Sequence, residues 1–178
     1  MIIGLGHQAR VGKDTLANLL VERHGFQRLA FADKLKELAY ETDPLVYGGG
    51  TGHLQEFVDT EGWEAAKAHP EVRRYLQFLG TGARKVLGPN IWVDSVLDKI
   101  RDNPEQDYVI TDVRFPNEFE ALQDEGAYLI KLIRDDAPVV AGHISETALI
   151  DAEWDYIVPN NGTPENLLGT IVRLVGLS

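Results

Sequence analysis

The first stretch of the chain constrains its fold more than any other. Met1-Ile2-Ile3-Gly4-Leu5-Gly6 is an apolar run of strand character. It breaks at Gly6-His7-Gln8-Ala9-Arg10-Val11-Gly12-Lys13-Asp14-Thr15, and from Asp14 to Arg23 the leucines Leu16, Leu19 and Leu20 recur at helical spacing. A strand that passes through a short glycine-bearing loop into a helix aims several backbone N–H groups into one concavity. Those groups carry partial positive charge and can cradle a polyphosphate. Gly12 permits close backbone approach, and Lys13 adds a mobile cation. The loop departs from G-x-x-x-x-G-K-[ST] twice: His7 stands at the first glycine position, with Gly6 one residue earlier, and Asp14 follows Lys13, with Thr15 supplying the hydroxyl one position late. Ala9, Arg10, Val11, Gly12, Lys13, Asp14 and Thr15 are the expected nucleotide-binding stretch.

The rest of the chain alternates strands and helices. Gly25 stops the first helix, Gln27–Phe31 reads as a second strand, and Asp33 stands as the expected N-cap of a helix carrying Leu35, Leu38 and Ala39. Residues 43–52, with Pro44 and Gly48-Gly49-Gly50-Thr51-Gly52, read as a loop; they lack the Gly-Lys pair and the preceding strand of a phosphate site. Glu71–Leu87 is the clearest helix, with Val72, Tyr75, Leu76, Leu79, Ala83 and Val86 on one apolar stripe and Arg73, Gln77, Thr81 and Arg84 on the polar side. Ile91–Arg101 predicts another helix. Tyr108–Thr111 predicts a strand ending at Asp112, and Pro116-Asn117-Glu118 opens a short helix. Tyr128–Ile133 and Asp155–Val158 predict two further strands, Asn160–Thr163 a turn, and Pro164–Val175 a last helix. This order predicts an α/β fold with a parallel sheet covered on both faces, as a single domain over 1–178.

Composition narrows the function. Seventeen Lys+Arg against 28 Asp+Glu give a net charge of −11, a poor balance for wrapping duplex nucleic acid or adhering to anionic lipid. Anions must therefore be handled in a local pocket. With no Cys, disulfides, thiolate metal sites and thiol nucleophiles are excluded. No apolar run approaches the ~18 residues of a membrane span, and the chain opens on a strand without a basic leader. A cytoplasmic location is expected, the host cytoplasm for a phage-encoded chain.

At Gly12-Lys13-Asp14-Thr15 the sequence resembles the phage-type deoxynucleoside monophosphate kinases. The likeness continues through Phe31-Ala32-Asp33-Lys34-Leu35-Lys36, then Leu76-Gln77-Phe78-Leu79-Gly80-Thr81 with Arg84 and Asn90-Ile91-Trp92-Val93. It resumes at Asp112-Val113-Arg114-Phe115-Pro116-Asn117-Glu118 and ends in His143, Ser145-Glu146 and Asn160-Asn161-Gly162-Thr163. The resemblance implies a P-loop NTPase fold: a five-stranded parallel sheet sandwiched by helices, a helical acceptor-binding region at about 33–101 and a lid at about 134–147. It implies transfer of the γ-phosphoryl group of ATP to a deoxynucleoside monophosphate, with Mg²⁺ required. The rivals are another phosphorylated acceptor on the same fold, such as phosphomevalonate or dephospho-coenzyme A, and a regulatory module that binds ATP without an acceptor. Arg84, Arg114 and Arg134 speak against the last.

Phosphoryl transfer between two anionic phosphates is mainly a problem of charge and alignment. Asp112, at the carboxyl end of a strand, is expected to hold the Mg²⁺ shell with Thr15; capping the next helix is its bland alternative. Arg114 is expected on the acceptor phosphate, since a planar guanidinium suits bidentate contacts, with an ion pair to Glu118 as the alternative. Arg84 is assigned to the same phosphate, and Arg73 to solvent. Asp33 and Lys36 are candidate substrate contacts, as are Phe115, a pocket wall, and Glu118. Trp92 is read as packing. Arg134 is the lid cation expected over the transferring group. The turn Asn160–Thr163 is expected to pack near adenine and read its edge through the backbone, Asn161 and Gly162 above all, or else merely to enter the last helix, with Thr163 capping and Pro164 at its first position. Lys13, Arg114, Arg134 and Asp112 form the expected catalytic set. Which bases are accepted, the treatment of ribose and the oligomeric state, a homodimer included, stay open.

Overall fold

In chain order the elements are β1 (Ile2–His7), α1 (Lys13–His24), β2 (Gln27–Leu29), α2 (Ala32–Thr42), β3 (Leu45–Tyr47), β4 (Thr51–His53), α3 (Leu54–Ala66), α4 (Pro70–Leu87), α5 (Ile91–Asp102), β5 (Tyr108–Ile110), α6 (Pro116–Asp124), β6 (Tyr128–Ile133), β7 (Tyr156–Pro159) and α7 (Pro164–Val175). The structure, a computed structural model, describes residues 1–7, 9–47, 51–135, 137 and 148–177. The chain forms two compact units, Met1–Phe31 with Val96–Ser178, and Ala32–Ser95.

The first unit is organised by the two-residue alternation of β1. Ile3 and Leu5 are fully buried, in one core with Leu16, Ala17 and Leu20 of α1 and Leu167, Leu168, Ile171 and Val175 of α7. Gly4 and Gly6 present the other face, where there is no room for a side chain. A Cβ on Gly4 would lie 2.8 Å from Leu129 and 3.1 Å from Leu122 of α6, and one on Gly6 would lie 2.2 Å from the Trp154 ring. Those glycines let α6 and Trp154 close on the sheet. The five strands run in the order β2-β5-β1-β6-β7, every neighbouring pair parallel. All five carboxyl ends therefore share one edge, with β1 in the middle. Ladder bonds extend to that edge beyond β5, since Thr111 N–H donates to Leu29 O (3.2 Å) and Val113 N–H to Leu5 O (3.3 Å). β2 stops at Leu29 rather than Phe31, because the Phe31 N–H donates to the Asp112 side chain (2.8 Å) and is lost to the ladder.

The second unit gathers Ala39, Val46, Leu54 and Val72 into a core, with Phe57, Trp63, Tyr75, Leu76 and Leu79 against it. Three expectations are corrected here. The glycine-rich loop at 43–52 contains an antiparallel pair, Leu45↔His53 and Val46↔Gly52; burial of Val46 and the Asp43 side chain hold it. Asp43 sits at φ 41, its Oδ1 accepting from Gln55 N–H (2.9 Å) and its Oδ2 facing His53 Nδ1 (2.9 Å). Asp33 lies inside the first turn of α2 rather than at its N-cap. The apolar stripe of α4 ends early: Val72 and Ala83 are buried, but Val86 is 80% and Leu87 66% exposed. Gly80 is buried where a Cβ would meet Leu35 of α2 at 3.1 Å, so its small size serves helix packing, whereas Gly82 faces open space. Trp92 is buried, as read from the sequence, and its indole N–H donates to Gly80 O (3.2 Å). At the start of α4, the Arg74 guanidinium hydrogen-bonds Glu71 and holds its carboxyl below the usual range. Among the described residues no helix is long and apolar enough to cross a membrane.

Candidate active site

The site is built on the carboxyl edge of the parallel sheet, the edge at which open α/β sheets bind ligands. After β1 the chain turns at Arg10, a non-glycine residue at φ 61. It then reaches Gly12, the N-cap of α1, at φ 94 and ψ 16. That left-handed conformation favours glycine, and there is a second restriction: a Cβ there would fall 2.3 Å from Asn160 Nδ2, so the amide would have to give up its place. Val11 is fully buried and Lys13 is 7% exposed, so the loop is anchored in the core and its lysine shielded from solvent. Asp14 and Thr15 are exposed on the first turn of α1, and Asp14 Oδ1 lies 3.4 Å from the Arg28 guanidinium. Ala9 is half-buried and Arg10 exposed.

On one flank, β5 delivers Asp112 and the segment leading into α6. Asp112 is half-buried, with Oδ1 on the Phe31 N–H. Arg114 and Phe115 follow, also half-buried. Glu118 is only 2% exposed, and its Oε2 accepts from the N–H groups of Arg114 (2.8 Å) and Phe115 (3.0 Å). At the third position of α6 it satisfies otherwise unpaired donors of the helix start, and so braces the backbone that presents Arg114 and Phe115.

On the other flank, β6 is followed by Arg134, which is exposed, and β7 by Asn160. Asn161 and Asp135 tie these two ends together: Asn161 Nδ2 donates to Asp135 Oδ2 (2.8 Å) and Asp135 N–H to Asn161 Oδ1 (3.1 Å). Gly162 and Thr163 lead into α7, whose first turn Thr163 caps through Asn166 N–H (3.2 Å). Of the expected lid at 134–147, residues 136 and 138–147 lie outside the described residues, His143, Ser145 and Glu146 among them. Asp33, Lys36 and Arg84 belong to the second unit and are half-buried on α2 and α4; Arg73 is exposed.

Sequence reasoning placed Asn160 in the turn expected near adenine without its contact to the loop, and missed Trp154. Asn160 is 9% exposed, and its Nδ2 donates to Val11 O (2.9 Å). Trp154 packs its ring on Gly6 and edge-on against Phe119, with centroids 5.0 Å apart. Its indole N–H is buried without a hydrogen-bond partner. Neither contact is local in sequence, and the Asn-Asn-Gly-Thr run alone gave a hint of Asn160.

The donor set bears on metal binding. Among the described residues no three His, Asp or Glu side chains are grouped to hold an ion by themselves. Thr15 and Asp112 offer a hydroxyl and a carboxylate, hard oxygen donors of the kind magnesium takes when substrate phosphates complete its shell.

A buried lysine in a glycine loop, at the carboxyl edge of a five-stranded parallel sheet, is the arrangement of the P-loop kinase fold. Two solved structures share the fold at low identity: shikimate kinase from Aquifex aeolicus (15% identical, TM-score 0.52, covering 99% of this chain and 96% of that one) and a sugar kinase from Janibacter sp. (10%, TM-score 0.52, 99% and 94%). Residues 53–171 match the family model described as deoxynucleotide monophosphate kinase. A provisionally named deoxynucleotide monophosphate kinase of Acanthamoeba polyphaga mimivirus is 31% identical over 98% of this chain and 96% of its own length. The deoxynucleotide monophosphate kinase of Escherichia phage RB69 is 31% identical over 58% of this chain and 44% of its own. The chain belongs to the deoxynucleotide monophosphate kinase family and is a nucleotide kinase.

Proposed function

We propose that the protein transfers the γ-phosphoryl group of ATP to a deoxynucleoside monophosphate, giving the deoxynucleoside diphosphate and ADP. The observation that carries this reading is the pairing, on one sheet edge, of the loop around buried Lys13 with the braced Arg114 backbone. Lys13 and the N–H groups of the loop and first turn of α1 neutralise the β- and γ-phosphates of ATP. Arg114, with Arg84, Asp33, Lys36 and Phe115, holds the monophosphate, whose oxygen attacks the γ-phosphorus. The new P–O bond forms as the bond to the β,γ-bridging oxygen breaks, and the electron pair leaves on ADP. No strong base is needed, because the attacking oxygen is already anionic at neutral pH. Arg134 covers the transferring group, and the backbone at Asn161 and Gly162 reads adenine. Glu118 acts through the backbone it braces. Thr15 and Asp112 would hold magnesium, which would offset phosphate charge when bound.

The test is ADP formation with Mg-ATP across deoxy- and ribonucleoside monophosphates, with phosphomevalonate and dephospho-coenzyme A as further acceptors. ADP release that depends on an added deoxynucleoside monophosphate is the expected result. Release without acceptor, or only with one of the other two compounds, sinks the proposal.

A further inference from the structure

Asn160 stands at the end of β7, far in sequence from the loop it touches. Its amide donates through Nδ2 to Val11 O (2.9 Å), its own backbone N–H donates to Ile133 O (2.7 Å), and it is 9% exposed. Both ends of this residue are thus anchored, one on β6 and one on the loop. The Val11 carbonyl belongs to the same peptide plane as the Gly12 N–H. In a trans peptide these two groups point in opposite directions. Fixing the carbonyl on Asn160 therefore fixes the Gly12 N–H on the opposite side. Contact on the Gly12 side is tight enough that a Cβ there would sit 2.3 Å from Nδ2, so the amide and the bare glycine fit as a pair.

We propose that Asn160 is a positioning residue for nucleotide binding: it holds the Val11–Gly12 peptide so that the Gly12 N–H donates to the triphosphate. Without that anchor the peptide can rotate and present its carbonyl oxygen to the anion. This inference rests on the reading that the loop binds ATP.

The experiment is calorimetric titration of the full-length protein with Mg-ATP, together with steady-state ADP formation, for wild type, Asn160→Ala and Asn160→Asp. Loss of one oriented donor predicts that Asn160→Ala weakens Mg-ATP about tenfold, while KM for the monophosphate stays within about twofold. Asn160→Asp carries a signature that a structural role would not produce. Its carboxylate repels the Val11 carbonyl, but its protonated form can donate an O–H to it. Affinity relative to wild type at the same pH should therefore be lowest near pH 8 and recover as pH falls, a buried carboxyl titrating above its usual range. Of the charged groups nearby, Lys13 next to Gly12 favours the carboxylate and Asp135, bonded to Asn161, disfavours it; they move the midpoint of the recovery but not its direction.

Wild-type ATP affinity in Asn160→Ala, or a deficit in Asn160→Asp that ignores pH, overturns the proposal. Should the variants not fold, side-chain amide exchange of Asn160 in the wild-type ATP complex decides: slow exchange supports the anchor and fast exchange refutes it. A wild-type protein that binds no ATP instead defeats the underlying reading of the loop.

Discussion

At the scale of single residues, the proposed reaction divides charge between two tasks. In the proposed reaction Lys13, buried beside its loop, would act on the transferring phosphoryl group, and Lys13→Ala is expected to lower kcat by roughly 10² or more, as removal of preorganised charge does elsewhere. Rapid-quench turnover with saturating substrates checks this. Arg114 is the proposed acceptor contact: Arg114→Ala should raise KM for the monophosphate by at least about tenfold and leave Mg-ATP affinity within about twofold. Equal loss of both affinities would remove Arg114 from the acceptor site. The place of Lys13 at the head of a helix was legible in the sequence because strand, glycine loop and helix are contiguous. Asn160 was not, because its partner Val11 lies 149 positions away and only pairing of β7 beside β6, and β6 beside β1, brings the two together.

At the scale of elements, local bonds decide where a helix starts and what it presents. Glu118 satisfies two backbone donors at the head of α6, and Glu118→Ala leaves both without that acceptor. A loss of about 2–3 kcal/mol is expected from urea denaturation, while Glu118→Gln, which keeps an acceptor oxygen, should retain most of that stability. An undiminished midpoint for Glu118→Ala would contradict the brace. The long helix α4 was readable from its 3.6-residue periodicity, yet the fate of its small residues was not. Gly80 receives Leu35 and the Trp92 N–H, both matters of which helix lies alongside. The pair β3–β4 escaped notice because a glycine run masks strand character, and Val46 needs a core to declare itself. α3 has no clean stripe and is broken at Gly62 (φ 79, ψ 163), so periodicity could not announce it.

At the scale of the whole molecule, a net charge of −11 opposes anionic substrates, and binding must come from the local cluster of cations and N–H groups. Ligands should therefore leave separate footprints in hydrogen exchange. Mg-ATP is expected to protect the head of α1 and residues 160–163, and a deoxynucleoside monophosphate to protect α2 and α4 around Asp33, Lys36 and Arg84. Protection of α1 by the monophosphate alone would reverse the assignment. Chelation of divalent metal should abolish ADP formation, and added Mg²⁺ should restore it; activity unchanged by chelator would remove the role given to Thr15 and Asp112. The amino-acid sequence by itself determined the alternation of strands and helices, the phosphate loop and the acidic balance, since periodicity, glycine placement and charge are properties of neighbours along the chain. The tertiary structure alone decided that Asn160 seats against Gly12, that Trp154 closes on Gly6 and that Glu118 serves the backbone. Each of these is a contact across the sheet or a burial, and strand order rather than local preference determines who meets whom.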